Sequence, residues 1–251
     1  KKLELLMDEF KLIKKYFSKL ASKSKGSLKL NDDVFFDKKS KLIVSVDTYI
    51  DGCHFFNFKK PDLVIKKIIR SSISDLICKG VKPKYYFLSA SGNSKFFTKN
   101  NLKKISKSLN EEQKKYNIFL AGGDTVYSNE LSFTVTSIGF SNKIIYRNRS
   151  NINNDIYISG NIGDSFIGLL VLKKKIKINR KLSNYFINQY YKPKIKYSLT
   201  EHLKNFATSS IDLSDGLISD LEKLTNNQKN SYKLFFDKIP ISKNLNLVLN
   251  K

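Results

Sequence analysis

The sequence predicts a mixed α/β (α+β) protein built in two blocks, residues 1–140 and 141–251. Three observations carry this. Residues 41–49 and Leu131–Phe140 alternate apolar and polar side chains, the period of a strand. Residues 62–79 and the lysine-rich stretch carrying Leu102, Ile105, Leu109 and Tyr116 keep a helical period. Near residue 141 the character changes, and the polar loop Asn148–Asn154 reads as a boundary.

The elements follow in order. Leu6, Phe10, Ile13, Phe17 and Leu20 recur at steps of three and four and define one face of an opening helix. A loop containing Gly26 leads to Leu30-Asn31-Asp32-Asp33. In the strand over 41–49, Leu42, Val44 and Val46 point one way and Ile43, Ser45 and Asp47 the other. The helix from Asp62 is ended by Gly80, and residues 84–90 form a strand. After the lysine-rich helix come a short strand, the turn Gly122-Gly123-Asp124-Thr125 and the strand ending at Phe140. The second block opens with a strand over 155–160, a glycine turn and a helix from Ser165. Two helical stretches occupy 180–206. A strand, turn and helix then span 207–224, with Leu217, Ile218, Leu221 and Leu224 as the apolar stripe. The tail carries no evident closing element.

Composition bounds the function. The chain has 251 residues, 41% of them hydrophobic, enough for a sizeable core. No apolar run reaches the roughly 18 residues of a membrane span, and the N-terminus lacks a signal-peptide pattern. Two cysteines, Cys53 and Cys78, give no disulfide framework and no cysteine-rich zinc site, which makes the cytoplasm the expected compartment. The net charge of +24 invites a nucleic-acid reading. Yet only Arg70, Arg147, Arg149 and Arg180 are arginines among 46 basic residues, whereas base and phosphate recognition favours arginine. The lysine excess is read as compositional, and no nucleic-acid or membrane partner is expected.

The chemistry lies in the minority charge. Asp32, Asp33, Asp47, Asp51, Asp75, Asp124, Asp212 and Asp215 all fall in short motifs. Aspartates brought together cannot all stay ionised without a partner, which is either lysine or a divalent cation. All-oxygen donor sets suit Mg²⁺, usually with substrate phosphates. Each residue also has a purely structural reading. Asp32 and Asp33 fit a solvated turn, and Asp124 fits a glycine turn. Asp75 fits a salt bridge to Arg70 or Lys79. Asp212, Ser214 and Asp215 fit an N-cap, although the same helix start, with Gly216, also suits an anion. Asp47, inside an apolar strand, is the hardest to explain structurally. His54 lies in an aromatic loop, and His202 reads as a surface residue.

Taken in order, LNDD at 30–33, SVDTYIDGCHF at 45–55, SDLICKGVKP at 74–83, AGGDT at 121–125, ISGNIGDSFIGL at 158–169 and SIDLSDGLISDL at 210–221 resemble the thiamine-monophosphate kinases. That family belongs to the superfamily of aminoimidazole ribonucleotide synthetase. The resemblance implies a two-domain fold of that type, with an N-terminal ATP/Mg-binding and dimerisation domain at 1–140 and an incomplete second domain at 141–251. It implies ATP-dependent phosphorylation of thiamine monophosphate to thiamine diphosphate by direct transfer to the substrate phosphate, in a homodimer paired through its sheets. By resemblance, Mg²⁺ falls to Asp32, Ser45, Asp47, Asp75, Asp124, Asp212 and Asp215. ATP falls to Gly123, Asp124, Arg147 and Ser214, and the substrate to His54. Asp47, Asp75, Asp124 and Asp212 are the catalytic set. The alternatives are another ATP-using enzyme of the superfamily or a basic nucleic-acid-binding module. The sequence departs from the family pattern at Lys29-Leu30-Asn31, where Gly-x-Gly is usual, and stops before the family's Gly-Gly-Glu-Asp-Tyr-Glu segment.

Overall fold

In a computed structural model, residues 9–226 and 228–249 are described. One six-stranded mixed sheet occupies the first block. Its strands are β1 (Phe35–Asp37), β2 (Leu42–Ile50), β3 (Pro83–Gly92), β4 (Phe119–Gly122), β5 (Thr125–Tyr127) and β6 (Ser132–Phe140). The order is β1-β2-β6-β3-β4, with β5 also paired to β3. β1, β2, β6 and β3 are antiparallel neighbours, while β4 and β5 run parallel to β3.

The opening helix forms as α1 (Glu9–Leu12), a π-helical segment (Ile13–Phe17) and α2 (Ser18–Ala21). Leu6 of its expected face lies outside the described residues. The rest of that face is not buried by this chain, since Phe17 and Leu20 are 47% and 67% exposed. A 3₁₀ turn over Lys25–Leu30 follows.

Two long helices, α3 (Pro61–Cys78) and α4 (Lys99–Tyr116), cover one face of the sheet. Ile65, Ile68, Ile69 and Ile73 of α3 are fully buried against Phe133 and Val135 of β6 and Tyr86 of β3. Each such side chain removed from water is worth about 2 kcal/mol. The alternation expected for β2 holds, and it is the more polar set that turns inward. Ile43, Ser45 and Tyr49 are buried, while Val46 is 61% exposed. This register puts Ser45 and Asp47 beneath α3.

The second block is helical: α5 (Asp164–Leu172), α6 (Arg180–Tyr191), α7 (Thr200–Leu203), α8 (Leu217–Thr225) and α9 (Lys243–Leu249). α9 supplies the tail with a closing helix that the sequence did not reveal. Leu182 and Phe186 of α6 pack on Leu245 of α9. Gly168 lets α5 approach α6, because a Cβ there would lie 2.2 Å from the Phe186 carbonyl oxygen.

Two expected strands do not form. Residues 155–160 and 207–213 contain none among the described residues. Alternating side chains make a strand only where a neighbouring backbone completes the ladder, and none pairs with them here.

Candidate functional site

The site is assembled from four segments: the loop before β1, the inner face of β2, the C-terminal half of α3 and the loop before α8. On α3, Ser71, Ser74 and Cys78 share one stripe, and Asp75 flanks it. Asp75 pairs with neither of its expected partners. Arg70 forks instead onto Glu112, with both nitrogen–oxygen distances 2.8 Å. Lys79 turns to the loop before β1, 2.8 Å from Asp32 Oδ1 and 2.6 Å from Asp33 Oδ2.

Asp32 and Asp33 therefore have different roles. Every oxygen of Asp32 has a protein partner: Oδ1 faces Lys79 and accepts from the Asp33 N–H at 2.8 Å, and Oδ2 accepts from the Arg147 N–H at 2.9 Å. Asp32 is an anchor for the loop. Asp33 is the acid that enters the cluster. It meets the Arg147 guanidinium at 3.0 Å, and its Oδ2, though beside Lys79, has no aligned hydrogen-bond donor. Its charge is felt at Asp47, Asp75 and Asp212. The family resemblance assigned Mg²⁺ to Asp32 and left Asp33 out, whereas in the structure it is Asp33 whose charge reaches the cluster.

Those three carboxyls share one problem. Burial, followed by repulsion from Asp212, Asp47 and Asp33, raises Asp75 well above the usual carboxylate range. Burial raises Asp47 against hydrogen bonds from Tyr49 and Asp75; the Tyr49 hydroxyl donates to Asp47 Oδ2 at 3.1 Å. Burial and the Asp33 charge push Asp212 up to about 6, although Ser74 Oγ donates to it at 2.8 Å. Ser45, buried two residues before Asp47 on the same face of β2, donates to the Ser72 carbonyl at 3.5 Å. Oxygen atoms of Asp33 and Asp212 lie within 4.8 Å of each other and of Cys78 Sγ. Cys78 is buried, and a thiol is a soft ligand. Clustered, protein-buried carboxylates short of cations are the donor set that suits a hard divalent ion, so these residues fit Mg²⁺.

The remaining expected residues lie around this centre. Ser214 and Asp215 stand in the turn before α8, and the N–H groups of this turn are occupied by a side chain of the helix. Those of Ser214, Asp215 and Gly216 all donate to Asp220 Oδ2, at 2.9, 3.0 and 3.0 Å. Lys223 in turn bridges Asp220 and Asp215. Asp220 escaped the sequence reading, although an acid four residues into a helix is a known way of satisfying its free N–H groups. Arg147 lines a cavity of about 400 Å³ with Lys25, Lys29, Asn31, Tyr146 and Arg149. Arg149 stacks 3.6 Å above the Tyr146 ring.

Asp124 and Gly123 are not brought into the carboxylate cluster. Asp47 pairs with Val135, Val135 with Leu88, and the Asp124 carbonyl accepts from Ala90 N–H. Three strand spacings put the two aspartates' backbones about 14 Å apart. Gly123 is required by packing, since a Cβ would sit 1.9 Å from the Leu88 carbonyl oxygen. His54 accepts from the Ile50 N–H at Nδ1, 3.0 Å away, which leaves Nε2 as its free donor. Burial lowers its pKa, against the nearby Asp215 charge and together with that of Lys67. His202 is exposed, as expected.

Comparison with known proteins settles the family. Residues 31–141 match the family model "AIR synthase related protein, N-terminal domain". The chain is 37% identical to a thiamine-monophosphate kinase of Buchnera aphidicola (subsp. Acyrthosiphon pisum) over 244 residues, 94% of this chain and 74% of the relative. It is 32% identical to the Haemophilus influenzae thiamine-monophosphate kinase, over 98% of this chain and 75% of that one. This chain belongs to the thiamine-monophosphate kinases. Within the family fold, the Aquifex aeolicus thiamine monophosphate kinase structure superposes with a TM-score of 0.85 at 23% identity, covering 97% of this chain and 79% of that one. A structure described as AaThiL complexed with AMPPCP and TMP superposes with a TM-score of 0.87 at 24% identity, covering 96% and 77%. The acidic centre described above is thus set in a kinase scaffold.

Proposed function

We propose that the chain transfers the γ-phosphoryl group of ATP to the phosphate of thiamine monophosphate, forming thiamine diphosphate. The observation that carries this is the convergence of Asp33, Asp47, Asp75 and Asp212 from four separate segments into one cation-poor cluster. Family membership names the reaction, and the cluster supplies a reason for it. Transfer between two phosphates needs positioning and charge neutralisation more than covalent chemistry. The acceptor oxygen is already anionic at neutral pH, so no strong base is required, consistent with a site built without an acid–base histidine.

Asp33, Asp47, Asp75 and Asp212, with Ser45 two residues before Asp47, would hold Mg²⁺, which when bound supplies the positive charge that lets two phosphate chains approach. Arg147 meets ATP from the wall of the cavity that Lys25 and Lys29 also line. Asp124 and Gly123 act from the far side of the sheet, where only an extended nucleotide spans from them to the cluster. Ser214 and Asp215 border the site from the turn that Asp220 holds, and Asp32 fixes the loop that carries Asp33. His54 presents Nε2–H to thiamine monophosphate.

Residues 1–140 act as the nucleotide-binding and dimerisation domain, with 141–251 as the second. The outer face of the sheet exposes Phe35, Val46, Ile50, Phe87 and Phe140. An apolar sheet face of this kind marks an interface, and it supports a homodimer paired through the sheets. No helix of the described residues is long and apolar enough to cross a membrane. The lysine-dominated charge supports neither a nucleic-acid partner nor a membrane one, and the protein acts in the cytoplasm.

The test is formation of thiamine diphosphate from ATP, Mg²⁺ and thiamine monophosphate, followed by chromatography. Asp47→Asn abolishes turnover while the circular dichroism spectrum is retained. Turnover at the wild-type rate would overturn the assignment of Asp47.

A further inference from the structure

One cation near the site has no acidic partner. Lys67, on α3, is partly buried, and no ion pair or hydrogen bond to a carboxylate is found for it among the described residues. Its ammonium lies 4.4 Å from the centre of the Tyr190 ring of α6. The Tyr190 hydroxyl sits beside the Phe56 backbone N–H, in the loop that carries His54. The Lys67 charge also acts on the His54 imidazole. Along α3, Ser71 and Ser74 follow Lys67 on the same face, at i+4 and i+7. Ser74 is the residue that donates to Asp212.

Lys67 is thus a cation held against an aromatic ring, between the His54 loop and the face of α3 that reaches the carboxylate cluster. Most lysines of this chain project into water, where an unpaired charge costs nothing. Burial here lowers the Lys67 pKa to about 8, so at neutral pH it is still mostly protonated. A cation–π contact with Tyr190 offsets part of that cost. An anionic ligand would offset the rest.

We propose that Lys67 is a substrate-binding residue, which takes the phosphate of the acceptor while His54 contacts the rest of the molecule. This rests on the function proposed above and adds a residue to it. Lysine suits the task as a compact point charge on a flexible stem that can follow a phosphate whose charge changes on transfer.

Two measurements decide it. In steady-state kinetics, Lys67→Met raises KM for thiamine monophosphate at least tenfold and leaves KM for ATP within twofold, and Lys67→Arg recovers much of the loss. In limiting acetylation followed by mass spectrometry, thiamine monophosphate protects Lys67 of the wild-type protein at least fivefold, and thiamine, which lacks the phosphate, does not. Equal changes in both KM values, or equal protection by both ligands, would mean that Lys67 only packs against Tyr190 and would overturn the proposal. If the wild-type protein forms no thiamine diphosphate, the functional reading fails by itself. Labelling with inorganic phosphate as the probe then still decides whether Lys67 binds a phosphate group.

Discussion

At the residue scale, the acidic centre behaves as a store of repulsion. Asp212 titrates at about 6 in the folded chain, above the ordinary aspartate value. Well below pH 4 both folded and unfolded forms are protonated and nothing is gained. Between about 4 and 6 the unfolded chain ionises first, so stability falls as pH rises, and above 6 the destabilisation is complete. Asp212→Asn therefore raises the melting temperature of metal-free protein at pH 7.5, and the advantage vanishes by pH 4. Thermal melts at the two pH values check this. Added Mg²⁺ stabilises the wild type and not the variant. Lys79 works in the opposite sense. Burial opposes its charge, but Asp33 and Asp32 outweigh burial and hold its pKa above the usual lysine value. Lys79→Met removes the buried ammonium that Asp32 and Asp33 share, leaves Arg147 as the cation paired with Asp33, and costs about 3–5 kcal/mol in denaturant unfolding. The loop before Asp32 carries a third effect. Leu28, Lys29 and Leu30 adopt left-handed backbone angles, with φ of 51°, 60° and 56°. Such conformations cost a non-glycine residue on the order of 1 kcal/mol. Lys29→Gly, which removes the Cβ from a left-handed position, stabilises the chain by about that much in denaturant unfolding.

At the element scale, the site depends on how one turn is tied. Asp220, on the first turn of α8, gathers three consecutive N–H groups onto one oxygen. Asp220→Ala strands those donors and costs about 1–3 kcal/mol. It also loosens the segment carrying Asp212, Ser214 and Asp215, so KM for ATP rises together with the loss of stability. Combining calorimetry with ATP kinetics checks both. The sequence showed the helix and its stripe from Leu217 onward, because a period of 3.6 is a local property. It did not show that Asp220 ties the turn before that helix, because the acid lies one turn further along the chain than the donors it gathers. The strands expected over 155–160 and 207–213 failed for a related reason. Alternation is local, whereas a strand needs a partner from elsewhere.

At the scale of the whole molecule, the sheet has one covered face and one open one. α3 and α4 cover the inner face, and Val46, Phe87 and Phe140 remain exposed on the outer one. If two chains pair there, Val46→Lys combined with Phe140→Lys gives a monomer in light scattering, while the wild type measures as a dimer. The net charge of +24, the most conspicuous number in the composition, has little part in this architecture. Among the described residues, Lys79 and Arg147 are the cations paired with acids of the carboxylate cluster.

The sequence by itself determined the family and the order of the elements in the first block, and it named Asp47, Asp75 and Asp212, which the structure brings together. Motifs and periodicities are local, and they survive in a single chain read from end to end. Tertiary structure decided which neighbours act together. It separated Asp33 from Asp32, moved Lys79 away from Asp75 and placed Asp124 three strands from Asp47. It also singled out Lys67 among dozens of lysines. The physical reason is that the charge state of a carboxylate or an amine is set by burial and by the charges packed against it. Both come from segments far apart along the chain.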